Sequence, residues 1–359
     1  MIVVFILLML SVLSLLLFYN GKNIFILVSS FFKIKSLNYW IVFSLVQLFF
    51  IGCQFIPSKI ASLVSGYYMG FTFYYFLISL VIDITKLFGI KAIGIEIAKV
   101  VITVIVMIIG IVTLKNIHIN TYEVNVNKDI EDINIVMFSD IHLGYLIGEK
   151  EVIEIVSKVN NLDPDLILIP GDFFDGAFSK TASINNVKDN LRKLKSKYGV
   201  YVSLGNHDLT KDRENVKKFF EDCDIILLED ESITINDSVT IVGRMDASPI
   251  DGFKQKRMPM KELVSSIDSD NLIIVMDHQP KEIDEAIEEN VDLIVSGHTH
   301  KGQVFPGELV TNILFKVDYG YEKFNNTNVV VTSGVGYWGI PLRVGTKSEI
   351  VNIKLSGNK

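Results

Sequence analysis

The sequence predicts an N-terminal all-α transmembrane region joined to an α/β domain of two sheets covered by helices. Three observations lead there. Residues 1–115 are dominated by Ile, Leu, Val and Phe, and carry eight lysines against two acids, a balance of +6. The whole chain of 359 residues has a formal charge of −7, so residues 116–359 hold −13. From Ile133 onward, short apolar runs alternate with amphipathic stretches, the pattern of strands interleaved with helices. Five of the six histidines fall between residues 140 and 300, in short motifs that follow apolar runs. The chain therefore divides into a membrane region at 1–115, a polar connector at 116–132 and a folded domain at 133–359.

A membrane-spanning helix needs about 20 apolar residues. Met1–Phe18, Tyr39–Ile56, Ile60–Ile82 and Ile93–Leu114 meet or approach that length, which makes about four transmembrane helices. Ile24–Phe32 is too short to cross alone. Its reading stays open between an interfacial piece, a re-entrant piece and an extra span. Met1–Phe18 lacks the basic leader and small-residue cleavage site of a signal peptide. With four spans, the loops at 19–38 and 83–92 share a side and hold Lys22, Lys33, Lys35, Lys86 and Lys91, against Lys59 and Lys115 on the other. Lysine excess marks the cytoplasmic side. The expectation is an integral membrane protein whose α/β domain is extracytoplasmic; a fifth span would reverse it. Glu96 and Lys99 read as an interfacial ion pair rather than a transport element. Cys53 lies in a span and Cys223 in the α/β part, so they are not expected to form a disulfide. Cys223, if exposed, would report sidedness to an impermeant thiol reagent.

Beyond the connector, which includes a strand at Thr121–Val126, the pattern predicts the α/β elements in order. Strands are expected at Ile133–Phe138, Leu166–Ile169, Val200–Leu204, Ile225–Leu228, Ser232–Ile235, Val239–Val242, Leu272–Met276, Leu293–Val295, Val329–Thr332 and Glu349–Lys354. Asn236-Asp237 suits a hairpin turn between two of them. Helices are expected at Glu151–Asn160, Ile184–Lys197, Asn215–Glu221 and Lys281–Glu289. Apolar residues at 152, 153, 155, 156 and 159 give the first of these its helical spacing.

The histidine motifs read Asp140-Ile141-His142, Gly205-Asn206-His207-Asp208, Asp277-His278-Gln279-Pro280 and Gly297-His298-Thr299-His300. Gly171-Asp172-Phe173-Phe174-Asp175 adds carboxylates. Each motif begins where a predicted strand ends, and loops beyond the carboxyl ends of α/β strands collect at one place. Carboxylates with imidazoles suit Mn, Fe, Zn or Ni better than Ca or Mg alone. Glycine ahead of a ligand lets the backbone turn sharply.

Together these blocks resemble the calcineurin-like metallophosphoesterase family, whose pattern is D-x-H, G-D-x-x-D, G-N-H-D/E, a lone H and G-H-x-H. All five occur in order over residues 140–300. The resemblance implies a four-layer α/β/β/α sandwich. It assigns one metal ion to Asp140, His142, Asp172 and His300, and a second to Asp172, Asn206, His278 and His298. The cofactors would be two divalent ions, Mn, Fe or Zn, with Mn favoured. His207 would donate a proton or hydrogen bond to the leaving oxygen, with Asp208 orienting its ring. Asp175 would support the site without binding metal. Two ions about 3.5–4 Å apart clamp a phosphate and lower the pKa of a water between them.

A narrower likeness, to bacterial membrane-associated members, rests on His300-Lys301-Gly302-Gln303-Val304-Phe305-Pro306-Gly307, on Ser333–Pro341 and on Arg343. Lys301 stands where glycine is usual, and either contacts a substrate phosphate or faces solvent. Trp338 and Arg343 could grip a head group, while Trp338 could equally pack on the sandwich. Arg244 and Asp246 either edge the site or serve a turn. The implied activity is a membrane-anchored phosphohydrolase acting on phosphomonoester, phosphodiester or pyrophosphate bonds of lipid-linked or nucleotide-linked substrates. The −13 balance of the back half disfavours nucleic acid as a partner. The alternative, a scaffold, sensor or transporter with a vestigial phosphoesterase domain, predicts missing ligands, and none is missing.

Overall fold

The computed structural model describes residues 2–89, 92–176, 178–181, 183–208, 212–248 and 257–358. The chain forms two compact units, Met1–Val112 with Gly339–Leu342, and Thr113–Trp338 with Arg343–Lys359.

In the first unit four helices among the described residues, α1 (Ile2–Phe31), α2 (Ser36–Cys53), α3 (Lys59–Asp83) and α4 (Ile93–Lys115), are long and apolar enough to cross a membrane. Ile24–Phe32 is not a separate element: α1 runs through it. The polar break at Asn20–Asn23 stays helical because other helices satisfy it. Asn20 Nδ2 donates to the Thr72 carbonyl at 2.8 Å, and the Tyr39 hydroxyl donates to the Gly21 carbonyl at 2.7 Å. In an apolar surround, such bonds hold helices together. Glu96 and Lys99 do pair, at 2.8 Å, but both are buried and belong to a larger network. Lys99 also meets Asp83 at 2.5 Å, and Lys86 meets Glu96 at 2.9 Å.

Among the described residues the second unit holds twelve strands: β1 (His118–Asn125), β2 (Ile133–Met137), β3 (Leu166–Pro170), β4 (Val200–Ser203), β5 (Ile226–Leu227), β6 (Glu231–Ile235), β7 (Val239–Gly243), β8 (Leu272–Met276), β9 (Leu293–Ser296), β10 (Gly320–Phe324), β11 (Thr327–Val331) and β12 (Glu349–Ser356). Its helices are α5 (Glu149–Asn160), α6 (Ile184–Leu191), α7 (Arg213–Glu221), α8 (Met260–Val264), α9 (Ile283–Glu288) and α10 (Gly307–Leu314). One sheet has the order β1-β12-β2-β3-β4-β5 and the other β10-β11-β9-β8-β7-β6. β2, β3, β4 and β5 run parallel, as do β7, β8, β9 and β11. β5 and β6, consecutive in sequence, fall in different sheets.

Alternation of side chains across each strand makes three buried layers. Ile135, Met137 and Leu168 of one sheet face Ile241, Ile274 and Val295 of the other. Val136, Ile167 and Val202 point outward beneath α5, α6 and α7. Ile273, Val275 and Ile294 lie beneath α8 and α9. These layers make the four-layer sandwich. The polar connector contributes β1, an edge strand paired with β12. α6 stops at Leu191, short of the expected Lys197. The Asn160 side chain donates to the Lys193 carbonyl and accepts from the Lys195 N–H, which draws the chain off the helical path. Cys223 is buried and its thiol is pushed up to about 12 by desolvation, so it is no reporter of sidedness.

Leu168→Ala would leave a void between the two sheets. Urea unfolding of the full chain in detergent, followed through the α/β domain, is expected to show a loss of about 2–5 kcal/mol.

Candidate metal centre

Five strand ends converge because β2, β3 and β4 are adjacent and parallel, as are β8 and β9. The ladders continue past the strands into the loops. Asp140 N–H donates to the Gly171 carbonyl and His142 N–H to the Asp172 carbonyl, each at 3.1 Å; Gly297 N–H donates to the His278 carbonyl at 3.0 Å. The loops are thus extensions of the sheets, and rigid for that reason.

Asp140, His142, Asp172, His298 and His300 all adopt positive φ, between 49° and 71°. That region is sparsely populated by non-glycine residues and costs about 1–3 kcal/mol at each position, so the surrounding fold must over-determine it. Gly171, at φ 81°, must be glycine on two counts: a Cβ there would come within 2.5 Å of His278 Cγ.

Asp140, His142 and His300 form one group of close ligand atoms, and Asp172, His278 and His298 another. Asp172 stands between them. Its Oδ2 is 3.1 Å from His278 Nε2 and 3.9 Å from His142 Nε2, while its Oδ1 accepts the His207 N–H at 2.8 Å. His300 Nε2 is 3.4 Å from Asp140 Oδ1 and 3.1 Å from His142 Nε2. Asn206 Oδ1 is a buried acceptor without a hydrogen-bond partner. His278 Nδ1 sits 2.9 Å from the Pro170 carbonyl and can donate to it, which turns Nε2 toward the Asp172 carboxylate. Two imidazole nitrogens 3.1 Å apart, buried carboxylates and an orphaned acceptor suit shared cations. The residues present fit divalent metal ions.

The electrostatics agree. Burial lowers His142 to about 3 and His298 to about 4, and holds His300 well below its usual value, with Arg343 adding to the last. These rings are held in the neutral form that metal ligation requires. Burial raises Asp140 to about 6. Burial also opposes charge on both Asp172 and His278, yet their attraction wins, holding Asp172 low and His278 high.

His207 is half-buried beside the site, its ring 4.9 Å from that of His142 and 5.5 Å from that of Trp338. Asp208 does not orient it, contrary to the sequence reading. The Asp208 carboxylate is consumed by backbone N–H groups of Phe173, Phe174 and Gly205 at 2.7–3.1 Å. It ties the β3 and β4 loops together, and burial raises it to about 7. His207 groups with His142 and Asp172, and Asp175 lies near the ring instead, with Oδ1 3.8 Å from Nδ1. The D-x-x-D spacing was the available signal for this residue.

Arg343 is not free to grip a head group either. It is fully buried and donates to the carbonyls of His300, Ser333, Gly334 and Gly336, at 2.6–3.1 Å, with Nη2 3.2 Å from His300 Nδ1. It fastens the loop after β11 to the His300 loop. That loop in turn bonds Asp140, through Gly336 N–H to its carbonyl at 3.0 Å. Trp338 is exposed rather than packed on the sandwich. Lys301 lies over the Tyr319 ring, its Nζ 4.2 Å from the centroid. Asp246 accepts from Gln279 and from the Ser248 N–H, and Arg244 is buried against Asp277, so turn and packing chemistry account for both.

Residues 133–302 match the family model for calcineurin-like phosphoesterase. This segment is a calcineurin-like metallophosphoesterase domain. The chain is 32% identical over 231 residues to an uncharacterized metallophosphoesterase of Helicobacter pylori, covering 63% of this chain and 60% of that protein. It is 32% identical over 252 residues to a Danio rerio protein named transmembrane protein with metallophosphoesterase domain, covering 65% and 56%. A Campylobacter jejuni uncharacterized metallophosphoesterase is 30% identical over 258 residues, covering 68% and 65%. The chain thus spans about 60% of the length of the curated relatives it matches. Among solved structures, a putative 5'-nucleotidase from Staphylococcus aureus in complex with alpha-ketoglutarate is 14% identical, with a TM-score of 0.40 over 64% of this chain and 55% of that one.

Asp208→Ala would strip the acceptor from three buried N–H groups, each costing about 1–3 kcal/mol. Thermal unfolding is expected to shift down and metal content to fall with it. A residue that only oriented His207 would leave both unchanged.

Proposed function

We propose that this protein is a membrane-anchored, two-metal phosphohydrolase that cleaves phosphoester or pyrophosphate bonds, with its α/β domain outside the cytoplasm. The observation that carries the reading is Asp172, whose carboxylate stands within reach of both His142 and His278, each in its own ligand group. Asp140, His142, Asp172 and His300 would hold one divalent ion, and Asp172, Asn206, His278 and His298 the other, with Mn favoured. Bound ions supply charge to offset the phosphate and acidify water.

The chain's own residues do the rest. His207, at the half-buried edge of the site, is placed to deliver a proton to the leaving oxygen, which contributes about 10²–10⁴-fold in such reactions. Asp175, 3.8 Å from Nδ1, is the side chain placed to orient the ring. Asp208 and Arg343 hold the ligand loops in register and touch no substrate. The wall of the site beyond His207 is Trp338, an apolar surface suited to an apolar or aromatic group on the ester. Lipid-linked substrates fit a chain with four apolar helices.

The test uses full-length protein in detergent, with Mn²⁺ or with EDTA, against a phosphomonoester and a phosphodiester reporter. Turnover of at least one is expected with Mn²⁺ and abolished by EDTA. No turnover of either by metal-loaded protein sinks the reading. His207→Ala is expected to slow turnover by about 10²-fold or more with metal content unchanged; loss of the metals would refute the role given to His207. For sidedness, Ile153→Cys places a thiol at an exposed position of α5, while both native cysteines are buried. An impermeant thiol reagent is expected to label it on intact cells. Labelling only after lysis would place the domain in the cytoplasm.

A further inference from the structure

An amphipathic surface helix normally turns its apolar stripe inward. α10 does the reverse. None of its residues is buried. Its large side chains face water: Leu309 is 58% exposed, Val310 56%, Ile313 84% and Leu314 70%. Its polar residue Thr311 instead faces the domain, donating from its hydroxyl to Asp318 at 2.8 Å. Neither the hydrophobic effect nor helix propensity favours this arrangement in water.

The helix is also continuous with the metal centre. It begins five residues after Gly302, the end of the short turn that carries His300. Phe315, which caps its end, sits with its ring 5.9 Å from that of His298. At the near end, Gln303 clamps Trp338 with two bonds of 2.9 Å, one in each direction along the Trp338 backbone. Trp338 is itself exposed and reaches His207. Exposed Phe305 lies between Gln303 and α10. Exposed apolar side chains thus recur along this path, from Trp338 beside the proton donor proposed above, through Phe305, to Leu314.

We infer that α10, Phe305 and Trp338 form a bilayer-contacting rim that presents the metal centre to phosphate esters whose apolar portion stays in the membrane. The occupant is the lipid surface because the same polypeptide carries four helices able to cross a bilayer, so a membrane is always within reach of the domain. A helix with one large apolar face lies in the interface plane with that face among the acyl chains. Glu308 and Asn312 are the polar residues of α10 besides Thr311, and the Glu308 carboxylate has an oxygen buried in the domain, so no charge on the outward face opposes this. A substrate held by its tail in the same layer would meet the metals with its phosphate, and a soluble ester would gain nothing from the rim. The inference rests on the phosphohydrolase reading for its substrate class, and the rim's contact with lipid is testable without any activity.

Full-length protein is reconstituted into phospholipid nanodiscs, with an environment-sensitive fluorophore on Ile313→Cys, or on Ile153→Cys as a water-facing control. A quencher carried on lipid acyl chains is expected to dim the label at 313 several-fold more than the label at 153. Equal dimming, or dimming at 313 only by a water-soluble quencher, overturns the inference; so does burial of the 313 label in lipid-free detergent through self-association. Activity gives the second arm. The double variant Ile313→Glu, Leu314→Glu is expected to lose about tenfold or more of its turnover of a long-chain alkyl phosphate in the nanodisc, because two apolar contacts with lipid are replaced by charge. Turnover of a small water-soluble aryl phosphate is expected to hold. Equal loss on both substrates, or loss on neither, overturns the inference. Failure of wild-type protein to hydrolyse either ester counts against the phosphohydrolase reading instead, and leaves the fluorophore result to decide the rim.

Discussion

The carboxylate of Asp172 is the constraint on which the second unit depends. One oxygen accepts the His207 N–H and so pins the β4 loop to the β3 loop. The other faces His278 and His142, which come from different sheets. A fully buried carboxylate is costly unless it is paired. Here its partners are imidazoles and one backbone donor, and the neighbouring carboxylate Asp140 is equally buried. Cations shared among these groups would make such a cluster tolerable in the sandwich. Structure and chemistry therefore share one cause: the group that joins the two sheets at their carboxyl ends is also the group expected to bridge the ions.

The remaining features of the site support that arrangement. Five candidate ligands sit in left-handed backbone conformations, which no local preference favours. They are held there by ladder bonds that run on from β2 to β3 and from β8 to β9, by Asp208 across three N–H groups, and by Arg343 across four carbonyls. Asp208 and Arg343 look like catalytic residues by type and position, yet each is saturated by backbone. Charge buried among amides makes rigid joints, since leaving any of those groups unpaired would cost more than the bonds contribute. The groups left free to act on a substrate are at the rim: His207, with Asp175 beside it, and the exposed Trp338.

The apolar character of the first unit and the outward apolar face of α10 belong to one physical theme. In a protein held at a bilayer, apolar exposure is solvation in a different solvent. The network of Asp83, Lys86, Glu96 and Lys99 shows the converse, with charged groups turned toward each other and Glu96 and Lys99 buried.

Much was legible in the sequence. Periodicity alone placed most strands of both sheets, because a buried parallel strand is a short continuous apolar run and a helix above it has apolar residues at spacings of three and four. The order of Asp140, His142, Asp172, Asn206, His278, His298 and His300 was enough to expect one cluster, since every motif follows a strand end. Tertiary structure decided what linear spacing does not encode. It joined Ile24–Phe32 to the first helix, because the hydrogen bonds that satisfy Asn20 and Gly21 come from other helices. It gave Asp208 to the backbone and Asp175 to His207, because two carboxylates near one histidine in sequence are separated by which loop each faces. It also turned α10 inside out: eight residues with an apolar stripe state that one face is apolar, and only the packing of Thr311 against Asp318 determines that this face points away from the core.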